Sequence, residues 1–441
     1  MLARAKPSLA LGVGVRNQND AVSLAERIRL RELSAVEACE LAFERAADDE
    51  LGCFWEIARE EALADAAEVD VQLAHGKPAG RLAGVPFAAK DCFDLRGFKT
   101  TLGVARPSAT ERAQADAAAV AGLRSSGAVA IGKTAMHQLA WGMSGQAPGF
   151  PVCCNPLDPT RQPGGSSSGS AAAVAAGIVP LALGTDAGGS VRLPAAWCGV
   201  VGFKPSLGSV SLEGCAPMAK SMDTFGVLAR SVRDCREALT VLVQEPLAEV
   251  NPGPVRVGLL ESGFNGADPA VEYACREALV VWQEEGATLL LLELPWERRC
   301  LSTIYAAELA EAWGEQVESD PALFGADVRL GIAAGRAVEH VDYLDALRTL
   351  ERLRVQAADR VADLDVVACP TSPILPPSIS APDNVTLAGR NTRVFNALGW
   401  PAISIPCGRL GREAVGLMVA SLPSTDGRLL AVAERLEALL A

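Results

Sequence analysis

The sequence predicts an α/β protein: one large domain with a mixed, mostly parallel β-sheet covered by helices on both faces. Three observations carry this. Short apolar runs alternate with helical-period segments along the chain, the pattern of a sheet wrapped by crossover helices. Of the 441 residues 49% are apolar and 21% charged, which supplies a large core and argues against global disorder. No low-complexity linker or fixed-period repeat divides the chain, so a single domain over 1–441 is preferred, although length alone allows two or three.

Taken in order, residues 20–48 read as helical, with a capping box at Ser34-Ala-Val-Glu37 and Ala38, Leu41, Ala42 and Ala46 following at helical spacing. A second helix covers about 58–74. Leu82-Ala-Gly-Val-Pro-Phe-Ala-Ala-Lys90-Asp91 is a short apolar strand ending in a Lys-Asp pair. Residues 116–126 form a helix closed by Gly127, and 128–131 a strand that runs into Gly132-Lys133-Thr134. The Gly-, Pro- and Asn-rich stretch 142–165 is loop. Then come a helix at 171–176, a strand at 178–183 and a helix at 231–244. The second half repeats the alternation: strands at 255–260, 288–294, 365–370, 402–406 and 416–420, and helices at 269–285, 303–318, 342–363 and 426–440, with a Pro-rich loop at 373–384. Within the single domain, 1–19 is an N-terminal extension, 80–235 holds the main motifs and 300–395 is expected to hold insertions that select a ligand.

Composition excludes several functions. A net charge of −13 argues against a general nucleic-acid binder, which needs a basic face. No apolar run reaches the roughly 18 residues of a membrane span. The N-terminal apolar run is short and broken by glycine, so no signal peptide is expected. Twelve cysteines without a Cys-x-x-Cys pair suggest free thiols in a reducing cytoplasm rather than zinc or redox motifs. Only three histidines exist, His75, His137 and His340, so a His-based metal site or general base has few candidates. His137 reads as packing or pocket wall, His75 as exposed, and Trp141, Phe150 and Trp197 as core.

The chemistry concentrates in 160–205. Two Gly-Gly-Ser triplets stand there, Gly164-Gly165-Ser166 and Gly188-Gly189-Ser190, separated by an Ala-rich segment. A lone Gly-Ser stretch is by default a loop. Two of them, the second flanked by Asp186 and Arg192, ask for more. A phosphate-binding loop is excluded because no Gly-Lys-Ser/Thr closes 164–170. Gly165-Ser-Ser167-Ser-Gly169 matches the nucleophile elbow of α/β-hydrolases literally, but Asp158-Pro-Thr-Arg-Gln-Pro163 cannot be the strand it requires, and only His340 lies downstream. The third reading is a Ser-Ser-Lys arrangement. Amide hydrolysis through an acyl-enzyme needs an activated nucleophile, an oxyanion hole and a proton for the leaving amine. Without a suitable histidine, a buried neutral lysine can act as base. Lys90 ends an apolar strand, although local sequence alone favours an ordinary surface lysine there.

These residues resemble the amidase signature family. The matching pieces are Gly-Gly-Ser166-Ser, the Ala-rich helix, Gly184-Thr-Asp186-x-Gly188-Gly189-Ser190-x-Arg192-x-Pro194-Ala-Ala, and Cys198-Gly-Val-Val-Gly-x-Lys204-Pro205. Gly84-Val-Pro with Lys90-Asp91, Gly132-Lys-Thr with Met136, Pro370-Thr371 and Gly399-x-Pro401-Ala-Ile-Ser-Ile-Pro-Cys-Gly408 extend the likeness from about residue 20 to the C-terminus.

The resemblance implies that Ser190 is the acylating nucleophile, that Ser166, after a cis peptide at Gly165, relays the proton, and that Lys90 is the base. It also implies an oxyanion hole of the amides of Ala187, Gly188, Gly189 and Ser190, each worth roughly 3–4 kcal/mol, with Asp186 and Arg192 orienting the loop. Ala187 departs from the family, which commonly has a larger residue there, but only its backbone is needed. Met143, Ser144, Gly145 and Arg393 are expected to contact substrate, Arg393 if the substrate carries a carboxylate. A surface salt bridge is the equal alternative for Arg393.

The expected function is a stand-alone amidase that hydrolyses a small carboxamide to acid and ammonia or amine, without metal or cofactor. Expected partners are a small-molecule amide, no nucleic acid and no membrane, with a homodimer allowed. The alternatives are the A-type glutaminase subunit of a tRNA-dependent amidotransferase and a non-catalytic scaffold with a relict site. The 141–150 segment, Trp-Gly-Met-Ser-Gly-Gln-Ala-Pro-Gly-Phe, weighs against the first alternative, because it differs from the Ser-Thr-Glu-Asn-type run of the transamidating subunit. The intact Lys90, Ser166 and Ser190 weigh against the second.

Overall fold

A computed structural model describes residues 20–47, 50–105, 111–243, 247, 251 and 253–441. The expected N-terminal extension at 1–19 lies outside these residues. The chain builds one large α/β domain on a mixed sheet of eleven strands. The strands are β1 (Phe54–Ile57), β2 (Pro86–Lys90), β3 (Val129–Thr134), β4 (Leu181–Thr185), β5 (Val201–Lys204), β6 (Phe225–Ala229), β7 (Arg256–Leu260), β8 (Thr288–Leu292), β9 (Val366–Pro370), β10 (Ala402–Leu410) and β11 (Glu413–Ala420). Their spatial order is β1-β3-β2-β4-β6-β5-β10-β11-β9-β7-β8, so the first six strands form one half of the sheet and the last five the other.

Parallel pairing is confined to two blocks, β3-β2-β4 and β9-β7-β8. The pairings β1–β3, β4–β6, β6–β5, β5–β10, β10–β11 and β11–β9 run antiparallel. The mixed sheet is as expected, but its parallel share is smaller. Two causes combine: β1, β5 and β6 are short strands that the sequence does not predict and each pairs antiparallel, and the predicted strands β10, β11 and β9 also pair antiparallel, β10 and β11 through a tight hairpin. The sheet is covered on both faces. Along β2, Phe87 and Ala89 pack into one apolar cluster and Ala88 into another, as strand alternation requires.

The helices follow the sequence with two differences. The stretch 20–48 is two helices, Ala21–Arg29 and Ala35–Ala47, broken where Arg31 adopts a positive φ of 60°. The second begins at the expected capping box: Glu37 N donates to Ser34 Oγ at 3.0 Å and Ser34 N to Glu37 Oε2 at 2.8 Å. Helices at Arg192–Cys198, Ala326–Arg336 and Thr392–Ala397 are additional. Among the described residues no helix is long and apolar enough to cross a membrane.

Candidate active site

Lys90 stands at the C-terminal end of β2 and is fully buried. Its Nζ donates to Ser166 Oγ and to Thr185 Oγ1, each at 2.8 Å. Both partners are neutral hydroxyls. Burial therefore pulls the lysine below its usual pKa range, and the more distant charges of Cys92, Cys215, Asp186 and Asp223 offset this only in part. The neighbouring Asp91 does not pair with it. That carboxylate faces Lys133 at 3.1 Å, likewise out of water.

Ser166 follows a cis Gly165–Ser166 peptide. Its carbonyl accepts from His137 N at 3.0 Å. Gly165 backs onto the 143–145 loop so closely that a Cβ would lie 2.9 Å from Gly145 N. That loop is held in turn by Asp383, whose Oδ2 accepts from Met143 N at 2.7 Å and Ser144 N at 3.0 Å. Ser144 Oγ lies 3.2 Å from His137 Nδ1, and His137 Nε2 lies 2.9 Å from Asp327 Oδ2. His137 is thus a brace behind the Ser166 loop.

Ser190 precedes the helix Arg192–Cys198, and its carbonyl accepts from Ser167 N at 3.1 Å, which ties the two Gly-Gly-Ser loops together. Between Thr185 and Arg192 the chain wraps around the Asp186 carboxylate. Oδ1 accepts from Gly189 N at 2.7 Å, Arg192 Nη2 at 2.8 Å and Asn396 Nδ2 at 2.9 Å. Oδ2 accepts from Val191 N at 3.1 Å, Arg192 N at 3.3 Å and Arg192 Nε at 3.0 Å. Burial alone would raise the Asp186 pKa, but the Arg192 guanidinium and these donors outweigh it and hold the carboxyl well below the usual range.

Gly189 departs from the expected oxyanion hole, because its N–H is committed to Asp186. The amides of Ala187, Gly188 and Ser190 have no protein acceptor among the described residues. Gly189 must still be glycine. Its φ is +121°, and a Cβ would stand 2.1 Å from Thr392 Oγ1.

Ser166, Thr185, Ala187 and Ser190 line one cavity of about 280 Å³. Ala140 and the segment 212–223 complete its wall, including Leu212, Met218, Lys220 and Asp223. Met143, Ser144, Gly145 and Arg393 are not part of that wall. The first three lie behind Gly165, and Arg393 packs beside Gly188, its Cγ 3.5 Å from where a Cβ would be. A larger surface depression of about 720 Å³, against Asp65, Arg96 and Arg124, contains none of these groups. Among the described residues no set of three or more His, Cys, Asp or Glu side chains is placed to hold a metal ion.

The sequence reading missed four contributors. Thr185 touches Lys90 and stands inside the Gly-Thr-Asp run, so its position was legible. Tyr305, whose hydroxyl donates to Ala187 O at 2.5 Å, gave no signal. Neither did Thr392, whose Oγ1 donates to Gly188 O at 2.7 Å, nor Asn396, whose Nδ2 donates to Asp186 O at 2.9 Å.

The arrangement has known counterparts. The family model described as Amidase matches residues 37–430. The chain belongs to the amidase signature family. It is an amidohydrolase acting on the C–N bond of linear amides. A solved structure described as "Crystal structure of amidase" is 32% identical, with a TM-score of 0.91 over 96% of this chain and 100% of that one. The structure of a peptide amidase in complex with chymostatin is 27% identical, with a TM-score of 0.84 over 95% and 97%. Among curated relatives, the A-type subunit of the Glutamyl-tRNA(Gln) amidotransferase of Chromohalobacter salexigens is 34% identical over 94% of this chain and 95% of its own. That of Methanothermobacter thermautotrophicus is 31% identical over 95% and 99%.

These relatives correct two expectations. The reading as a stand-alone amidase for a small carboxamide is overturned by curated relatives that match over most of the chain and are named as one subunit of an amidotransferase. The expected partner set, a small amide with at most a second copy of the chain, falls with it, since a protein named as a subunit implies protein partners. The physical reason is plain. A serine, a lysine and an oxyanion hole open any accessible carboxamide, so the motifs carry the chemistry and not the company the enzyme keeps.

Proposed function

We propose that this chain is the A-type, ammonia-releasing glutaminase subunit of a tRNA-dependent amidotransferase, and that Lys90, Ser166 and Ser190 perform the hydrolysis. The contact that supports the chemistry most directly is Lys90 Nζ to Ser166 Oγ at 2.8 Å, on the wall of the cavity that also holds Ser190. The named relatives support the substrate and the partnership.

In this reading neutral Lys90 takes the proton of Ser166 as Ser166 takes that of Ser190. Ser190 Oγ attacks the carboxamide carbon. The oxyanion is held by the amides of Ala187, Gly188 and Ser190, with Gly189 and Asp186 fixing their direction. The proton returns through Ser166 to the leaving nitrogen, ammonia departs, and water hydrolyses the acyl-Ser190 ester by the same relay in reverse. Thr185 holds the lysine from its other side.

The segment 300–395 acts on substrate choice through the cavity wall. Trp313 Nε1 donates to Pro217 O at 2.7 Å and Ser221 N to Glu308 Oε2 at 3.0 Å, so the helix Arg298–Ser319 sets the position of 217–221. Arg393, half-buried, packs beside Gly188. A cytoplasmic location suits buried, unbridged thiols such as Cys39, Cys235 and Cys369.

The test is ammonia release from glutamine by the purified chain, alone and with its partner subunits. A large gain on assembly, together with weak turnover of simple carboxamides by the isolated chain, is expected. An isolated chain that turns over simple carboxamides as fast as glutamine, with no gain on assembly, would overturn the subunit reading.

A further inference from the structure

Two cysteines that the hydrolysis does not use meet at the active-site cavity. Cys92 lies two residues past Lys90, and Cys215 belongs to the wall segment. Their sulfurs are 3.9 Å apart although 123 residues separate them in sequence. The backbone holds them in register: Phe93 and Cys215 form an isolated antiparallel bridge, and Ala216 N donates to Cys92 O at 2.9 Å. Cys92 Sγ is also 3.7 Å from Thr185 Oγ1, the hydroxyl that accepts from Lys90. Cys215 is half-buried and lines the cavity, whereas Cys92 is behind it.

A second pair, Cys275 and Cys407, is as close, at 3.8 Å, but both are fully buried in the core. The two pairs also differ in acidity. Burial opposes ionisation of Cys92, yet the S–H of Cys215 and the nearby Lys90 outweigh it and bring the thiol down to about 7, while the same contact with Cys92, together with burial, pushes Cys215 well above the ordinary thiol range, so the pair gives up one proton readily and shares the other. Burial pushes Cys275 well above the ordinary thiol range.

We propose that Cys92 and Cys215 are a peroxide-sensitive thiol pair whose disulfide reversibly closes the active site. Cys92 loses its proton first, the Cys215 proton passes to it across the 3.9 Å contact, and the resulting Cys215 thiolate attacks a peroxide in the cavity. An S–O bond forms on Cys215, the O–O bond breaks, and the alcohol or water leaves with the proton. The Cys92 sulfur then attacks the Cys215 sulfur. The S–S bond forms, the S–O bond breaks, and water leaves. Two thiols are oxidised and one peroxide is reduced. Bonding draws sulfurs from 3.9 Å to about 2 Å. That movement pulls 212–218 onto the end of β2 and shifts Thr185 and Lys90 from their contact with Ser166. The effect on turnover rests on the Lys90–Ser166–Ser190 reading; the cross-link does not.

The experiment exposes the purified full-length chain to hydrogen peroxide, then maps disulfides by peptide mass spectrometry and follows turnover before and after dithiothreitol. The expected result is a Cys92–Cys215 cross-linked peptide with Cys275 and Cys407 still reduced. Turnover should fall by about a hundredfold, the scale of an ångström's misplacement, and recover with dithiothreitol. Cys215→Ser, compared with its own untreated rate, should resist the loss. Cys92 and Cys215 remaining free while other thiols oxidise would overturn the pairing. A cross-link that leaves turnover unchanged would overturn its closure of the site. Loss of turnover that Cys215→Ser shares in full would do the same.

Discussion

The half of the sheet built from residues 54–229 and the half built from 256–420 contribute different things to the site. The first supplies every group proposed to react: Lys90 from the end of β2, Ser166 from the loop before the 168–175 helix, and the 185–190 loop that leaves β4. The second supplies no reacting atom. It reaches across with Tyr305, Asp383, Thr392 and Asn396, which hold backbone or carboxylate atoms of the first half at 2.5–3.0 Å. Chemistry restricts the first half to particular residue types, because few side chains can be a nucleophile or a neutral base. A brace needs only a donor at the right place, so the second half is under a weaker restriction. Substitutions in the two halves should therefore fail differently, the first in the reaction and the second in its precision.

The largest effect belongs to the first half. Ser190→Ala should lower turnover by roughly 10⁶-fold, the scale seen when a nucleophile is removed, with an unchanged unfolding midpoint. A variant that keeps its rate would break the division at once. Lys90 tests the same half through pH. As base it must be neutral, and burial lowers its pKa below the ordinary 10.5. The rate of the unsubstituted enzyme should rise with pH as Lys90 loses its proton and level off before a free lysine would. Lys90→Arg keeps the cation but cannot deprotonate in this range, so its kcat/KM should stay low at every pH. A profile that still follows the ordinary lysine value, or a Lys90→Arg enzyme that recovers in alkali, would remove Lys90 as base.

The next effect falls on the seam between the halves. Asp186 and Arg192 are wholly buried. Arg192 also donates to Asn396 Oδ1 at 2.6 Å and Thr392 O at 3.0 Å. Arg192→Met leaves the Asp186 charge without its main partner, at a cost of about 3–5 kcal/mol. Urea unfolding should show that loss alongside a fall in turnover. Arg348→Ala at the exposed pair with Asp345 should barely move the midpoint.

How much of this was legible follows the same line. Ser166 and Ser190 stand out because their neighbours are glycines, an aspartate and an arginine at fixed spacing, whereas Lys90, in Ala88-Ala89-Lys90-Asp91, comes forward only through the family resemblance. The capping box at Ser34 and Glu37 was readable because it is entirely local. The strand Phe54–Ile57 escaped: it is four residues long, half-exposed and at the sheet edge. The strands Val201–Lys204 and Phe225–Ala229 escaped because four or five residues with an internal glycine show little period. The antiparallel seam that places β10 beside β5 brings together residues some two hundred positions apart, which no local pattern encodes. The family resemblance implies Gly189 in the oxyanion hole. Its amide turns instead to Asp186, and only the folded loop decides that. The proposed subunit partnership has no mark in the catalytic motifs, since partners bind surfaces.

The smallest effects separate the braces from each other, and the planarity of the peptide says how. The carbonyl of Ala187 and the N–H of Gly188 belong to one peptide unit, so the hydroxyl that holds the first aims the second. Tyr305 is that hydroxyl. Burial pushes its pKa above the usual range, which keeps the O–H available as a donor. Thr392 holds the next unit, the carbonyl of Gly188 with the N–H of Gly189, but that N–H already has Asp186. In the proposed mechanism Tyr305 therefore acts on a free oxyanion donor and Thr392 on a committed one. Tyr305→Phe keeps the ring and loses one hydrogen bond, about 1 kcal/mol. That energy should appear as a several-fold drop in kcat at unchanged KM, with little loss of stability. Thr392→Val, which leaves the Gly188 carbonyl buried and unpaired, should cost about 1–3 kcal/mol and should show it first in unfolding. If Tyr305→Phe raised KM and spared kcat, the hydroxyl would be a substrate contact rather than a brace, and the second half of the sheet would have a direct part in binding.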